Sequence, residues 1–259
     1  MASPDRPDPR AAEASALTRA HVVPFVVFMS FMLLQLFLEP LLAWNHPMAP
    51  WWRRDLAQWI YPLQTLVCAA LLLRYRRHYR MDWSWRWSLI AVVCGVLGIA
   101  VWLLPTTLHS LCFGQTEVPR WLEWCGVAAR KDGFDPEFFS DPVARAAALL
   151  LRFLRAVVVV ALIEEIFWRG FLMRFVWDYE GDCWAQPFGR AGLRSYVVVT
   201  VLFTLAHQPS DWVVAFLYGS LTYLLCVRSK SLGACVLMHA VANLLLGVYI
   251  IVTGKNGLW

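Results

Sequence analysis

The chain has 259 residues, of which 59% are hydrophobic and 16% are charged, whereas soluble domains average about 25% charged residues. This composition argues against a water-soluble globule, a disordered chain and a disulfide-rich secreted domain, and its solidly apolar runs exclude an outer-membrane barrel of alternating strands. The formal net charge of +5 is better explained by membrane topology than by nucleic-acid binding, because Arg residues cluster beside apolar segments.

Seven apolar segments predict an all-α, polytopic transmembrane helical bundle. In chain order they cover residues 22–44, 56–73, 88–108, 143–177, 194–208, 211–227 and 232–252. The fourth segment is long enough to contain an eighth element, which would reverse the orientation of everything after it. Most Lys and Arg residues lie in the alternate segments that begin with the N-terminus, so we expect a multi-pass protein of the cell (inner) membrane with a cytoplasmic N-terminus.

The sequence divides into three regions. Residues 1–20 are polar and contain several prolines, which predicts a disordered cytoplasmic tail without a cleavable signal peptide. Residues 21–142 form an N-terminal transmembrane region with a basic loop and a longer acidic loop. In the acidic loop a disulfide between Cys112 and Cys125 would require an oxidising compartment. Residues 143–259 contain the polar motifs described next.

The first motif lies in the fourth predicted helix, where Glu164 and Glu165 are followed one turn later by Arg169. A charge at bilayer depth costs at least about 2.5 kcal/mol on insertion scales, so each such group needs a partner or a function. Glu165 and Arg169 share a helix face and can neutralise each other, which leaves Glu164 to face a polar cavity as a general base. The alternative is a purely structural Glu–Arg pair between helices.

Two further motifs follow on later helices. Phe203 and His207 lie at i and i+4 near the end of the fifth segment, and His239 and Asn243 share one face of the last segment. Either pair alone is explained by hydrogen bonding between helices without catalysis.

Depth within the membrane indicates whether the motifs can meet. A rise of 1.5 Å per residue places Glu164 and His207 roughly 20 Å, and His239 roughly 12 Å, from the same membrane face. Pro209 ends the fifth helix before it has crossed a hydrocarbon core of about 30 Å, which predicts a turn buried over the site. The three motifs can therefore converge in one layer.

The motifs Glu-Glu-x-x-x-Arg, Phe-x-x-x-His and His-x-x-x-Asn occur in this order on successive hydrophobic helices. The pattern resembles the CPBP (CAAX protease and bacteriocin-processing, Abi-type) family of intramembrane proteases, which includes the Ras-converting CAAX endopeptidase. The N-terminal half is similar to the CAAX-protease-related proteins found with exosortase systems.

The resemblance implies a catalytic intramembrane protease core at residues 143–259. The implied activity is an endopeptidase acting on a membrane-associated protein. A lipidated substrate and one with a C-terminal sorting tag are both left open, and prenylation is not assumed. Membrane lipids and this tethered substrate are the expected partners, and nucleic acid is not. The implied catalytic residues are Glu164, His207, His239 and Asn243, with Glu165, Arg169 and Phe203 in supporting roles.

Two mechanisms fit these residues. In the first, which the resemblance favours, Glu164 and His207 activate a water, His239 and Asn243 stabilise the oxyanion, and no cofactor is required. In the second, Glu164, His207 and His239 bind Zn²⁺ and Glu165 is the base. A proton-coupled membrane transporter and a non-catalytic membrane scaffold are the competing classes. Carriers commonly contain repeated halves, and the sequence shows no such repeat.

Overall fold

The computed structural model describes residues 9–44, 46–114, 116–130 and 133–259, and every regular element in these ranges is helical. The predicted all-α fold is therefore confirmed. Seven long helices, named α1 to α7 in chain order, are Pro9–Leu42, Ala57–Tyr75, Trp85–Leu108, Pro142–Trp177, Leu193–Leu205, Trp212–Ser229 and Leu232–Thr253. Short helices and 3₁₀ turns between or after them are Trp51–Arg54, Arg76–His78, Arg120–Trp124, Cys183–Ala185, Pro209–Asp211 and Asn256–Leu258.

Five of these helices are long and apolar enough to cross a membrane: α1, α3 with its extension to Phe113, α4, α6 and α7. The other two predicted spans, α2 and α5, do not meet that criterion. Helix α5 has only 13 residues, or about 20 Å of rise. Helix α2 turns polar side chains toward its neighbours, since Gln58, Gln64 and Thr65 are all buried.

The predicted disordered tail is wrong from Pro9 onward, because α1 begins there; residues 1–8 lie outside the described ranges. Proline is favoured in the first turn of a helix, where its missing N–H is not needed. The residues after it include several alanines, which are the strongest helix formers. At 34 residues, α1 is about 51 Å long, well beyond a hydrocarbon core of about 30 Å.

The long fourth region is one continuous helix of 36 residues, so it contains no turn that would create an eighth element. Two stretches of it, Leu154–Val160 and Ile166–Leu172, are π-helical. Between them lies the α-helical turn Ala161–Glu165. Such widened turns are found at functional sites, and here they flank the two adjacent glutamates.

Small residues and stacked rings bring the helices together around α4. Helix α3 packs against α7 and α6, and a Cβ at Gly95 would lie only 2.8 Å from the Met238 carbonyl oxygen. Helix α1 packs on α2 and on α4, where the rings of Phe25 and Phe167 stack at 3.9 Å. The N-terminal and C-terminal regions therefore form a shared interior.

All seven cysteines are free thiols. The disulfide considered between Cys112 and Cys125 is not formed. Cys112 is exposed and Cys125 is half-buried.

Candidate active site

Glu165 is the centre of a buried charge network that joins three helices. Its side chain is fully buried, and Arg169 approaches Oε1 at 3.3 Å and Oε2 at 3.2 Å. From α7, the Nδ1 atom of His239 lies 2.9 Å from Oε1. Arg169 also donates to the Gly219 carbonyl of α6 at 3.3 Å and lies over the Phe203 ring at 4.9 Å. This carboxylate is thus occupied by two partners.

The neighbouring carboxylate of Glu164 is in a different situation. Among the described residues it has no hydrogen-bond or ion-pair partner, and its Oε2 atom is buried. Glu164 instead faces a cavity of about 300 Å³ that His207, His239 and Asn243 also line. The structure therefore brings the four residues that the sequence motifs single out to the wall of one chamber.

His207 follows the end of α5, and its orientation is set by the helix before it. Its Nδ1 atom lies 2.8 Å from the Phe203 carbonyl oxygen. A carbonyl oxygen can only accept, so Nδ1 carries a proton, and in the neutral form of the ring Nε2 then has the lone pair. The ring also contacts Phe203 at 4.7 Å and Trp102 of α3 at 5.4 Å.

The same reasoning constrains His239. An ionised Glu165 is only an acceptor, so the His239 Nδ1 atom donates to it. Its Nε2 atom is then a hydrogen-bond donor only when the ring holds a second proton. In this geometry a neutral His239 has a lone pair at Nε2, and only an imidazolium with Glu165 as its counter-charge can donate from that atom.

Asn243 connects α7 to the first π-helical stretch of α4. Its Nδ2 atom donates to the Ala156 carbonyl at 2.7 Å. An amide nitrogen has two hydrogens, so one N–H remains available for a bound substrate. This contact fixes the carboxamide at the cavity wall.

The turn after His207 is tied to the loop that precedes α4. Arg130 of that loop forms an ion pair with Asp211, which itself lines the cavity. A Cβ at Gly126 would lie 2.2 Å from the Ser210 carbonyl oxygen, so the two segments are in direct contact. The turn is nevertheless not buried as we expected: Gln208 is exposed, because the loop supports the turn without covering it.

Several wall residues carry no sequence signal. Arg155 of α4 lines the cavity, and its Nε donates to Gln64 of α2 at 2.8 Å. Tyr218 of α6 has a buried hydroxyl without a partner among the described residues, and its ring lies 5.9 Å from that of His239. A Tyr within an apolar helix and a Gln in a short span belong to no motif, so only tertiary contacts identify them.

The second mechanism requires Glu164, His207 and His239 to be arranged as zinc ligands. Within the described part of the chain, no group of three or more His, Cys, Asp and Glu side chains is arranged to hold a metal ion. Glu164, His207 and His239 share a cavity without forming such a group.

These features define a class: a multi-pass, all-helical membrane protein that encloses a Glu-, His- and Asn-lined chamber. Residues 146–245 match the family model described as type II CAAX prenyl endopeptidase Rce1-like. This region is therefore similar to the CAAX protease family, in agreement with the resemblance noted from the motifs. No curated protein and no solved structure matches the chain. All six polar motif residues, from Glu164 to Asn243, lie inside the matched range.

Proposed function

We propose that the protein is an intramembrane endopeptidase that uses Glu164 to activate water, without a metal ion. The observation that carries this proposal is the contrast between adjacent carboxylates. Glu165 is bound by Arg169 and His239, whereas Glu164 has no hydrogen-bond or ion-pair partner among the described residues and faces the cavity. A carboxylate that shares a cavity with an imidazole lone pair is suited to general base catalysis.

In the proposed reaction, a water between Glu164 and the Nε2 atom of His207 loses a proton to Glu164 as its oxygen attacks the scissile carbonyl carbon. The resulting oxyanion accepts hydrogen bonds from the His239 imidazolium and from the free N–H of Asn243. Collapse of the intermediate breaks the C–N bond, and Glu164 returns its proton to the leaving amine. Every proton is thereby accounted for within this chain.

The cavity wall also supports a membrane-tethered protein or peptide as the substrate. Its side formed by α1 is apolar and consists of Phe25, Phe28, Met29 and Met32. Met side chains adapt to varied apolar shapes, which suits an apolar segment held next to the scissile bond. Orientation with a cytoplasmic N-terminus and residence in the inner membrane belong to the same proposal, because basic residues favour the cytoplasmic side.

The experiment compares membrane-protein termini in cells that contain the native protein, Glu164→Gln or the control Glu180→Gln. Glu180 is an exposed acid in the loop after α4. We expect new termini with the native protein and with Glu180→Gln, and their loss with Glu164→Gln at equal protein abundance. Identical termini in all three samples would contradict the proposal. Loss of proton-coupled uptake in Glu164→Gln without any change in termini would indicate a carrier.

A further inference from the structure

A second cavity, of about 600 Å³, lies where α1 begins and α4 ends. Its walls also include the basic loop after α2 and the loop after α4. The apolar part of α1 starts at Val22, so the first turns of this helix of about 51 Å extend beyond a hydrocarbon core of about 30 Å. The cavity therefore lies at the depth of lipid headgroups, and we call it the headgroup crevice.

Charged side chains of both signs line the headgroup crevice. Besides Arg10, six of them are Arg77, Arg80, Arg174, Glu13, Asp82 and Asp182. None of these six forms an ion pair within the described part of the chain. Three unpaired guanidinium groups and three unpaired carboxylates in one crevice match a ligand that carries both an anionic and a cationic group.

Arg174 is the best oriented of these groups. Its Nη1 atom donates to the Gly170 carbonyl at 3.1 Å, and its guanidinium lies over the rings of Trp184 and Phe188 at 5.5 Å and 5.3 Å. Its Nε atom is buried and has no partner among the described residues. The loop that supplies Trp184 is held by Asp182, which accepts from the Trp184 N–H at 2.9 Å. A guanidinium fixed in this way is prepared for an incoming anion.

We propose that the headgroup crevice binds phosphoethanolamine, the headgroup of a membrane lipid. Arginine forks match phosphate oxygens and form charge-assisted hydrogen bonds with them. The primary ammonium supplies three N–H donors for the carboxylates, whereas the trimethylammonium of choline supplies none. Basic pockets at helix ends bind lipid headgroups in this manner. This site is separate from the chamber around Glu164 and does not depend on the proposed function.

The test is native mass spectrometry of the detergent-solubilised full chain, titrated with phosphatidylethanolamine or with phosphatidylcholine of the same acyl chains. We expect an apparent Kd about tenfold lower for phosphatidylethanolamine, because a hydrogen bond to a charged group is worth roughly that factor or more. The variant R77Q/R80Q should weaken phosphatidylethanolamine binding about tenfold. The matched control R74Q/R76Q removes the same charge from the adjacent residues at the end of α2, outside the crevice lining, and should bind like the native protein.

A second variant tests the acidic side independently of the arginines. In E13Q/D82N, the preference for phosphatidylethanolamine over phosphatidylcholine should disappear while both lipids still bind. Equal affinity of the native protein for the two lipids would overturn the proposal. So would an equal loss in R77Q/R80Q and R74Q/R76Q, which indicates diffuse charge attraction. If soluble phosphoethanolamine binds as tightly as the lipid, the ligand is a soluble molecule and the proposal of a membrane lipid is overturned.

Discussion

Glu165 and His239 join α4 to α7 through a hydrogen bond of 2.9 Å between residues that are 74 positions apart. This contact determines which nitrogen of His239 faces the cavity and occupies the carboxylate next to Glu164. The two glutamates consequently have different environments despite being neighbours in sequence. Their separate roles lead to the first prediction.

Glu165→Gln should destabilise the protein strongly. The change leaves the fully buried Arg169 guanidinium without its counter-charge, which costs about 3–5 kcal/mol when one partner of a buried pair is removed. Glu164→Gln should leave stability within about 1 kcal/mol of native, because no hydrogen bond or ion pair among the described residues is lost. Thermal unfolding in detergent measures both. The double variant E165Q/R169Q should be less destabilised than E165Q alone, and no recovery would contradict the assigned ion pair.

His207→Asn should abolish peptide-bond cleavage while the protein still folds. The variant loses the Nε2 lone pair that faces the cavity, and positioned acid–base groups contribute about 10²–10⁴-fold to rate. The change sacrifices one local hydrogen bond, to the Phe203 carbonyl. The assay follows appearance of the termini identified with the native protein. His46→Asn, at an exposed loop position, is the control and should cleave normally; a retained rate in His207→Asn would remove His207 from the mechanism.

The ion pair between Arg130 and Asp211 should support the turn that carries His207. Arg130→Ala should lower stability by roughly 1.5–3 kcal/mol, the range for hydrogen bonds to charged groups, and should also slow cleavage. Arg130→Asp combined with Asp211→Arg should recover part of both losses. Unfolding temperature and cleavage rate are measured on the same preparations. Additive losses in the double variant would show that the two residues act independently.

Gly219→Ala should separate α6 from α5. A Cβ at this position would lie 2.9 Å from the Phe203 ring, and overpacking of this kind costs about 1–3 kcal/mol. The change also affects the carbonyl that accepts from Arg169. We expect a lower unfolding temperature, with partial recovery when Phe203→Leu is added. An unaltered unfolding temperature in Gly219→Ala would mean that the helices relax without cost.

Chelators should leave cleavage unchanged under the metal-free mechanism. The physical reason is the donor geometry: His239 uses Nδ1 for Glu165, and no three-donor group exists among the described residues. The measurement is the cleavage rate after incubation with a strong zinc chelator, together with metal analysis of the purified protein. Inhibition that added Zn²⁺ reverses would favour the zinc mechanism instead.

Helix periodicity and helix rise made some contacts of the candidate active site predictable from the sequence. The i and i+4 spacing of Glu165 and Arg169 predicts their ion pair, and the structure contains it. The helix rise, counted from the same membrane face, also predicted that Glu164, His207 and His239 lie in one layer. These inferences use only helix rise and periodicity, which hold before any tertiary contact is known.

Contacts between distant segments could not be predicted in this way. The Arg155 hydrogen bond to Gln64 links residues 91 positions apart, and it explains why α2 is more polar than a lipid-facing span. The start of α1 at Pro9 was missed because a polar segment was interpreted as a tail, although alanine and arginine favour helix. Exposure of the turn at Gln208 likewise depends on where the Arg130 loop packs.

The π-helical stretch Leu154–Val160 contains Ala156, whose carbonyl receives the Asn243 side chain. The wider π-helical turn therefore sets the orientation of Ala156 relative to Glu164. The number of residues in this stretch matters as much as their identity. Deleting one residue there would rotate Glu164 by about 100° relative to Ala156. Glu164 and the Ala156 carbonyl that accepts from Asn243 would then face different directions, even though every residue of the three motifs was still present.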